Sequence, residues 1–460
     1  MTDNIDRNGV RMNDKVVMPL WTFCLFIVVM NTTMFNVSLP TIIQDLHISA
    51  DLGSWVISSY SIGYALSTVI YSRLSDLVPL RRLLTVGLTT LGLASVTGLF
   101  AHSFNVLLIT RILQSAGAGV MAGLGLVLAS RYVPVARRGA AIAMISVGSA
   151  MAFGLGPIAG GLISQYFGWN GLFGITCLVL LVLPVLLYLL PKEQAKAAAF
   201  DLYGAALTVI NAGSLLVAVT SQSYIWLAVS VVSFAIHAIH LRKARDSFIN
   251  PKLLQMPGYL KLTAIGFSIL VLNLGNLFLM PLALSNLFHQ SALMIGLFIA
   301  PGAILSAFLT RFVGRWIDRY GNLRFLLIGH GVLAAVMAVF ALGLQLSPLV
   351  LLFGYLCFSP AFSATMASLN NEASGILPRN WIGSGMGLLQ LIQFFGGSVS
   401  VAVCGLLLHA QRTLAPSSAY RNVYGLLLAV SLCSLSLVLL YRRSRGMELK
   451  RNGAKSVSEA

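Results

Sequence analysis

Long apolar runs alternate with short polar connections along the whole chain. Runs of about 20 residues, the length at which a helix crosses the hydrocarbon core of a bilayer, occur fourteen times. They predict fourteen transmembrane helices and an all-α polytopic membrane protein. The predicted spans are 17–41, 53–73, 83–101, 105–131, 140–164, 171–190, 202–220, 224–240, 260–284, 292–313, 325–343, 349–370, 383–408 and 421–441.

A short basic stretch occurs twice between apolar runs. Residues 72–82 read SRLSDLVPLRR, and residues 314–324 read GRWIDRYGNLR. The copies lie 242 residues apart (314 − 72 = 242), which indicates two related halves with two extra helices between them. The predicted organisation is a tail (1–16), a six-helix half (17–191), a linker with two helices (192–259), a second six-helix half (260–441) and a tail (442–460).

The composition supports a membrane protein and excludes several other classes. Hydrophobic residues make up 57% and charged residues 9%, against about 25% charged in soluble domains. The net charge of +17 does not indicate nucleic-acid binding, because the basic residues other than Arg111, Arg412 and Arg421 fall on one side of the predicted spans. This bias predicts that both termini lie in the cytoplasm and that the membrane is the cytoplasmic (inner) membrane.

The sequence contains no pattern of an enzyme or a cofactor site. The five cysteines lie in apolar runs without metal or redox spacing. No nucleophile elbow, phosphate loop or dinucleotide fingerprint occurs. We therefore expect a non-enzymatic protein without metal or cofactor, whose partners are the lipid bilayer and a small-molecule substrate, and which acts as a monomer.

Polar side chains inside the spans mark a candidate substrate or proton pathway, because lipid cannot satisfy them. Arg111 is the one charge well inside a predicted span, and Gln114 shares its helix face. The remaining candidates are Asn31, Thr32, Asn36, Asn273, Asn276, His330, Gln390 and Gln393. Other roles stay open: Asn and Thr also join helices by hydrogen bonds, Arg111 is long enough to snorkel, and His330 is open to a purely structural hydrogen bond.

The fifth span carries a ridge of small residues that predicts close helix packing and a gate. Gly148, Ala152, Gly156 and Gly160 follow one another at intervals of four, with Pro157 and Gly161 beside them. Gly156, Pro157 and Gly160 are the candidate gating residues of this helix. Glu372 lies at the predicted cytoplasmic edge of the twelfth span, and we assign it to the gates as well.

Several of these stretches resemble the major facilitator superfamily. The repeated stretch resembles its loop between helices 2 and 3, although Ser72 and Pro79 replace the family's glycines. The run RILQSAG at 111–117 is similar to its helix-4 motif, and GLGPIAGG at 154–161 is similar to the helix-5 motif of its exporting antiporters. The resemblance implies a cytoplasmic gate that contains Asp76, Arg82, Asp318 and Arg324.

The middle of the chain narrows the resemblance to the fourteen-helix drug:proton antiporters. NVSLP at 36–40, SVVSF at 230–234 and DSFINP at 246–251 look most like the tetracycline/proton antiporters of Gram-positive bacteria. The family usually carries an acid in the first helix, where this chain has Asn31 and Thr32. A fixed cation without an acid favours neutral, zwitterionic or anionic substrates.

These observations lead to one principal hypothesis and two alternatives. The principal one is efflux of small amphipathic molecules, such as tetracycline-like antibiotics or endogenous metabolites, by proton antiport and alternating access in a bacterial cell membrane. The first alternative is an energy-independent facilitator or uptake carrier of the same fold. The second is a solute receptor that does not transport.

Overall fold

The chain folds into a bundle of long α-helices. The computed structural model describes residues 12–75, 77–191, 193, 201–243, 248–249, 251–378 and 381–458. The helices of this part are α1 (Asp14–Asp45), α2 (Ala50–Leu74), α3 (Leu80–Leu99), α4 (Phe104–Tyr132), α5 (Val135–Phe167), α6 (Gly171–Leu189), α7 (Leu202–Ser221), α8 (Tyr224–Lys243), α9 (Pro257–Phe288), α10 (Ala292–Tyr320), α11 (Asn322–Gly343), α12 (Pro348–Ile376), α13 (Ile382–Ala410) and α14 (Pro416–Ser458), with a short 3-10 helix at Pro251–Gln255.

The predicted all-α membrane fold is confirmed, since each of the fourteen predicted spans lies on one of these helices. Within the described residues, thirteen helices contain a segment that is long and apolar enough to cross a membrane. The fourteenth, α2, is rich in serine, and most of these serines are buried. α2 packs between α4 and α13, so protein rather than lipid surrounds much of its polar surface.

Two six-helix halves build the bundle, and six helices meet where the halves join. α1–α6 form the first half and α9–α14 the second. α2 packs along α13, α5 packs along α10, and α1 contacts α9. α9 is buried over almost its whole apolar segment, as expected for a helix at the centre of a bundle.

The two extra helices form a hairpin at the edge of this interface. α7 packs against α13 and α2, and α8 packs against α7. Leu216 of α7 is buried together with Leu66 of α2 and Leu391 of α13. α8 leaves large apolar side chains such as Tyr224 and Phe234 exposed, which is the surface that a helix presents to lipid. The hairpin therefore covers one side of the contact between the halves.

The bundle has two unlike ends. One end carries the connections α2–α3, α4–α5 and α10–α11, with basic residues such as Arg81, Arg131 and Arg319. We call it the basic face, and we call the other end, with Asp51 and His409, the opposite face. α14 continues beyond the last predicted span to Ser458, through the segment expected to be a tail.

Candidate translocation pathway and gates

A buried arginine lies at the centre of the first half. Arg111 of α4 has 1% of its surface exposed. Its Nε donates to the Val56 carbonyl oxygen (3.2 Å), and its Nη1 donates to Asn31 Oδ1 (2.5 Å) and Gln114 Oε1 (3.0 Å). The planar guanidinium therefore acts as a fork that joins α1, α2 and α4.

Two aromatic rings lie against the charged group of Arg111. The Arg111 Cζ atom is 4.0 Å from the centroid of the Phe35 ring and 3.9 Å from that of the Tyr60 ring. The negative faces of aromatic rings attract a cation, most strongly where water is excluded. No described acid forms an ion pair with Arg111. Hydrogen bonds and ring contacts thus replace a carboxylate as the compensation for burying this charge.

The polar network extends from Arg111 to two further helices. Asn31 Nδ2 donates to Thr176 Oγ1 of α6 (2.7 Å), and Gln114 Nε2 donates to Ser95 Oγ of α3 (2.7 Å). Five of the six helices of the first half therefore meet at this network. Since each amide is bonded on both sides, the network fixes how these helices are arranged around one another.

The structure brings together some of the predicted pathway residues. Asn31 and Gln114 bond to Arg111, and Thr32 lies beside the hydroxyl of Tyr60. The sequence analysis missed Tyr60 and Phe35. Phe35 follows Asn31 by one helical turn, which is a usable signal, whereas nothing in the sequence around Tyr60 connects it to α4.

The predicted pathway residues of the second half form separate contacts. Asn276 Oδ1 accepts a hydrogen bond from the Tyr424 hydroxyl (3.2 Å), and Gln393 Nε2 lies 3.5 Å from the sulfur of Met366. Asn273 is buried and Gln390 is half-buried. His330 Nδ1 lies 2.7 Å from the Leu326 carbonyl oxygen one turn earlier. None of these described contacts reaches the Arg111 network.

The small-residue ridge of α5 faces α1, within the same half. A Cβ atom on Gly156 would clash with Thr33 Oγ1, and one on Gly160 would lie 2.7 Å from Met34 Cα. Ser38 Oγ donates to the Gly160 carbonyl oxygen (3.3 Å). The two predicted gating glycines, Gly156 and Gly160, therefore position α5 against α1 rather than against the second half.

A different side of α5 closes the opposite face against the second half. A Cβ atom on Gly161 would lie 2.5 Å from the Ala292 carbonyl oxygen of α10. One on Gly296 of α10 would clash with the carbonyl oxygen of Pro157. Contacts this close require glycine at both positions, so Gly161 and Gly296 form a contact between α5 and α10 that the sequence analysis did not assign.

The second contact that closes the opposite face lies between α2 and α13. A Cβ atom on Gly405 would lie 2.7 Å from Ser54 Cβ. One turn further along each helix, His409 Nδ1 lies 3.1 Å from Asp51 Oδ1. The two halves are thus joined at this face by close backbone packing and by a polar contact.

Two cavities lie one above the other between the halves, among α1, α5, α9 and α10. The larger one, which we call the vestibule, opens at the opposite face with a volume of about 410 Å³. Its lining includes the neutral polar side chains of Thr41, Gln44, Gln165, Ser285 and Gln290. Among the described residues, no Asp, Glu, Lys or Arg lines it.

The smaller cavity is enclosed and lies about one helical turn deeper. It has a volume of about 10 Å³ and is lined by Asn36, Leu277 and Ile299, among others. Ile299 follows Ile295 of the vestibule by four residues on α10. The helices that close the opposite face therefore separate the vestibule from an inner, mostly apolar space.

Polar clusters stabilise the basic face, one in each half. In the second half, Glu372 Oε1 lies 3.3 Å from Arg445 Nε and accepts from the Tyr441 hydroxyl (2.9 Å). Its Oε2 accepts from Asn322 Nδ2 (2.9 Å) at the start of α11. Glu372, predicted as a gate residue, thus joins α12, α14 and the second copy of the repeated stretch.

The first half carries the same kind of cluster with the partners exchanged. Glu193, which follows α6, accepts from the Leu80 backbone N–H at the start of α3 (2.6 Å) and from the Tyr132 hydroxyl of α4. Arg131 of α4 lies 3.9 Å from Glu193. In this half the acid follows the sixth helix and the base lies on the fourth, the reverse of Glu372 and Arg445.

Of the remaining predicted gate residues, only Arg82 and Arg324 have described side chains. Asp76 lies outside the described residues, and only the backbone of Asp318 is described. Arg82 and Arg324 are exposed and form no ion pair with a described acid. The described contacts of the basic face therefore centre on Glu193 and Glu372.

Glu372→Gln tests the contribution of the cluster in the second half. The amide keeps hydrogen bonds but loses the ionic attraction to Arg445. Because Arg445 is partly exposed, we expect this loss to cost about 0.5–1 kcal/mol of interaction free energy. We expect transport to fall about two- to fivefold, measured in everted vesicles at equal protein level. Asp45→Asn, the same change at an exposed acid of the opposite face, should leave transport unchanged. If Asp45→Asn lowers transport as much as Glu372→Gln does, the Glu372 cluster has no specific role in transport.

Hydrogen bonds of Asp201 hold the segment between the halves, which contains α7 and α8, at the basic face. Asp201 caps α7, where Oδ1 accepts from the Gly204 N–H (2.8 Å), and it also contacts His240 Nε2 (2.8 Å) and the Phe248 N–H (2.8 Å). The Phe248 carbonyl oxygen in turn accepts from Arg73 of α2 (3.3 Å). The α7–α8 hairpin is thus tied to the first half.

The same contacts keep Asp201 ionised. Burial raises the pKa of its carboxyl, but the hydrogen bonds from Gly204, His240 and Phe248 outweigh burial and hold the pKa below its ordinary value. A lowered folded-state pKa stabilises the fold above the unfolded pKa, and this contribution is lost only as the pH falls through the lowered value.

Comparison with known proteins identifies the architecture. The sequence matches the Major Facilitator Superfamily over residues 21–401. The chain belongs to this superfamily. It is 24% identical to the riboflavin transporter RibZ of Clostridioides difficile, over 92% of this chain and 96% of that protein. It is 25% identical to the multidrug resistance protein Stp of Mycobacterium tuberculosis, over 85% of this chain and 76% of that protein.

Solved structures agree with the fold at low sequence identity. A peptide transporter POT in complex with alafosfalin covers 93% of this chain with a TM-score of 0.71 and 14% identity, over 95% of its own length. This major facilitator protein is therefore a multi-pass membrane transporter with bacterial relatives, not an enzyme.

Proposed function

We propose that this major facilitator protein exports small amphipathic molecules from the cytoplasm by alternating access, in exchange for protons. The observation that carries the proposal is the pair of six-helix halves closed against each other at the opposite face, at Gly161 and at Gly405. A solute between the halves leaves on that side only when these contacts part. The helix-5 motif shared with exporting antiporters supports this direction.

The charge distribution gives the proposed orientation. Cytoplasmic connections of membrane proteins are enriched in Lys and Arg, so we assign the basic face to the cytoplasm. Both termini then lie in the cytoplasm, and the vestibule opens to the outside of the cell membrane. In this orientation the described structure has its outer side closed.

The electrostatics of the interior indicate the substrate class. Arg111 is a buried cation without a described acid partner, and no described Asp, Glu, Lys or Arg lines the vestibule. A lipophilic dication is disfavoured in such a field, whereas neutral, zwitterionic and anionic molecules are accepted. Riboflavin, which appears in the name of one relative, and tetracycline-like antibiotics belong to this accepted class.

Proton coupling needs a group that alternates between two protonation states. The first helix offers Asn31 and Thr32 at the positions where related antiporters carry an acid. Three carriers remain: Glu372, His330, or the substrate itself exchanging a proton beside Arg111. Of these we favour the substrate, because Glu372 is held by Arg445, Tyr441 and Asn322 and His330 bonds to its own helix.

Transport into everted membrane vesicles tests the proposal. Vesicles with the wild-type protein receive tetracycline or riboflavin and an imposed pH gradient, and vesicles without the protein are the control. We expect protein-dependent accumulation that a protonophore abolishes. Accumulation that ignores the protonophore would contradict antiport and favour a facilitator. Saturable binding without any movement of either compound would favour a receptor.

A further inference from the structure

The side chain of Asn36 is buried where the two halves meet and forms no hydrogen bond within the described part of the chain. It is 1% exposed, and neither its Nδ2 nor its Oδ1 forms a hydrogen bond with any described residue. Both atoms of a primary amide are strong hydrogen-bonding groups, and leaving them unpaired in an apolar environment costs free energy. The amide lies at the small enclosed cavity beneath the vestibule.

The position of Asn36 relates it to the second half. α1 and α9 each contain an internal proline, Pro40 and Pro281, separated by 241 residues (281 − 40 = 241). The residues four places before these prolines are Asn36 and Leu277, and both line the same cavity. The two halves thus present equivalent positions to a shared space, with an amide on one side and an apolar side chain on the other.

While the opposite face is closed, the Asn36 amide has no hydrogen-bond partner among the described residues. When that face opens, a solute between the halves can reach the amide. A ligand shifts an equilibrium between two states only if it interacts differently with them. Asn36 provides this difference, because the closed state offers no protein partner to its amide and a solute that enters between α1 and α9 does. Residues of α1, α5, α9 and α10 line both cavities.

We infer that Asn36 recognises the transported solute as the opposite face opens, and that the solute carries a hydrogen-bond donor and acceptor side by side, as in an amide, lactam or imide. An amide side chain pairs with such an edge through one N–H and one C=O. No Asp, Glu, Lys or Arg among the described residues lines either cavity, and His289 lines only the vestibule. The Asn36 amide therefore faces no charged side chain in the smaller cavity, and the recognised edge is neutral. The inference rests on the proposed transport function.

Two flavins provide a matched pair of probes. Riboflavin carries an imide, and its derivative methylated at the imide nitrogen has lost the donor. Binding to the purified full-length protein is followed by quenching of flavin fluorescence. We expect the wild-type protein to bind riboflavin about tenfold more tightly than the methylated flavin, as the loss of hydrogen bonds to one amide predicts.

Three variants separate recognition from folding. Asn36→Leu should weaken riboflavin binding about tenfold and abolish the difference between the flavins. Asn286→Leu, which removes an amide bonded to Tyr420 at the outer end of α9, should keep the difference. Leu277→Asn should also weaken binding, because it gives Asn36 a protein partner in the closed state while leaving Asn36 itself intact.

Several results would overturn the inference. They are equal affinities of the wild-type protein for the two flavins, no binding of either, or unchanged discrimination in Asn36→Leu. Its failure is distinguishable from failure of the transport proposal. If vesicles transport the compounds and Asn36→Leu keeps the wild-type KM for riboflavin, only the inference falls. If no compound moves but the flavin discrimination depends on Asn36, the transport proposal is wrong, and Asn36 is still shown to recognise the imide edge.

Discussion

Arg111→Ala is expected to abolish transport. The substitution leaves Asn31 Oδ1, Gln114 Oε1 and the Val56 carbonyl oxygen without their donor. Each unpaired buried acceptor costs about 1–3 kcal/mol, and a cavity opens between the rings of Phe35 and Tyr60. The measurement is uptake of tetracycline or riboflavin into everted vesicles under a pH gradient, at equal protein level in the membrane.

Arg111→Lys distinguishes a role in transport from a role in folding. Lysine keeps the charge and part of the volume, but its ammonium group lacks the planar fork that reaches α1, α2 and α4 together. We expect a folded protein, judged by its melting temperature in detergent, with less than about a tenth of wild-type transport, the loss that about 1.4 kcal/mol produces. Full transport in Arg111→Lys would show that transport needs only a positive charge at this position. Transport in Arg111→Ala would show that the arginine has no part in the mechanism.

Gly161→Leu is expected to stop turnover by preventing closure of the opposite face. Even a Cβ atom at this position would lie 2.5 Å from the Ala292 carbonyl oxygen, and a full leucine has no space between α5 and α10. The two halves must then stay apart at this end. We expect transport to fall at least about tenfold, equivalent to about 1.4 kcal/mol, while the protein still binds substrate.

Labelling of the vestibule checks the cause of that loss. Ser285→Cys, introduced after the five native cysteines are replaced, should react faster with an impermeant maleimide in intact cells when Gly161→Leu is present. Gly331→Leu is the control, since nothing lies within 4 Å of a Cβ atom there. Gly156→Leu should instead lower the melting temperature, because Gly156 packs against Thr33 in its own half. Unchanged labelling in Gly161→Leu would contradict the gate.

The sequence alone was sufficient to predict where the helices lie and which residues form part of the polar network around Arg111. Within a bilayer every backbone N–H and C=O must be bonded inside the segment, so apolar length alone predicts where helices lie. Arg111 and Gln114 are three residues apart, and the helical period places them on one face. The repeated stretch predicts two related halves with two extra helices between them, and this division stays a prediction.

Only the tertiary structure decided which surfaces meet. The sequence placed Gly156, Gly160 and Gly161 on one helix, but the rotation of α5 decides that the first two contact α1 and the third contacts α10. In the same way, the tertiary structure brings Tyr60 to Arg111, Arg445 to Glu372 and Leu277 to the cavity beside Asn36. Each of these pairs lies on different helices, and Leu277 and Asn36 share a cavity. A periodic pattern determines the faces of one helix, whereas the partner of each face is set by the packing of all helices at once.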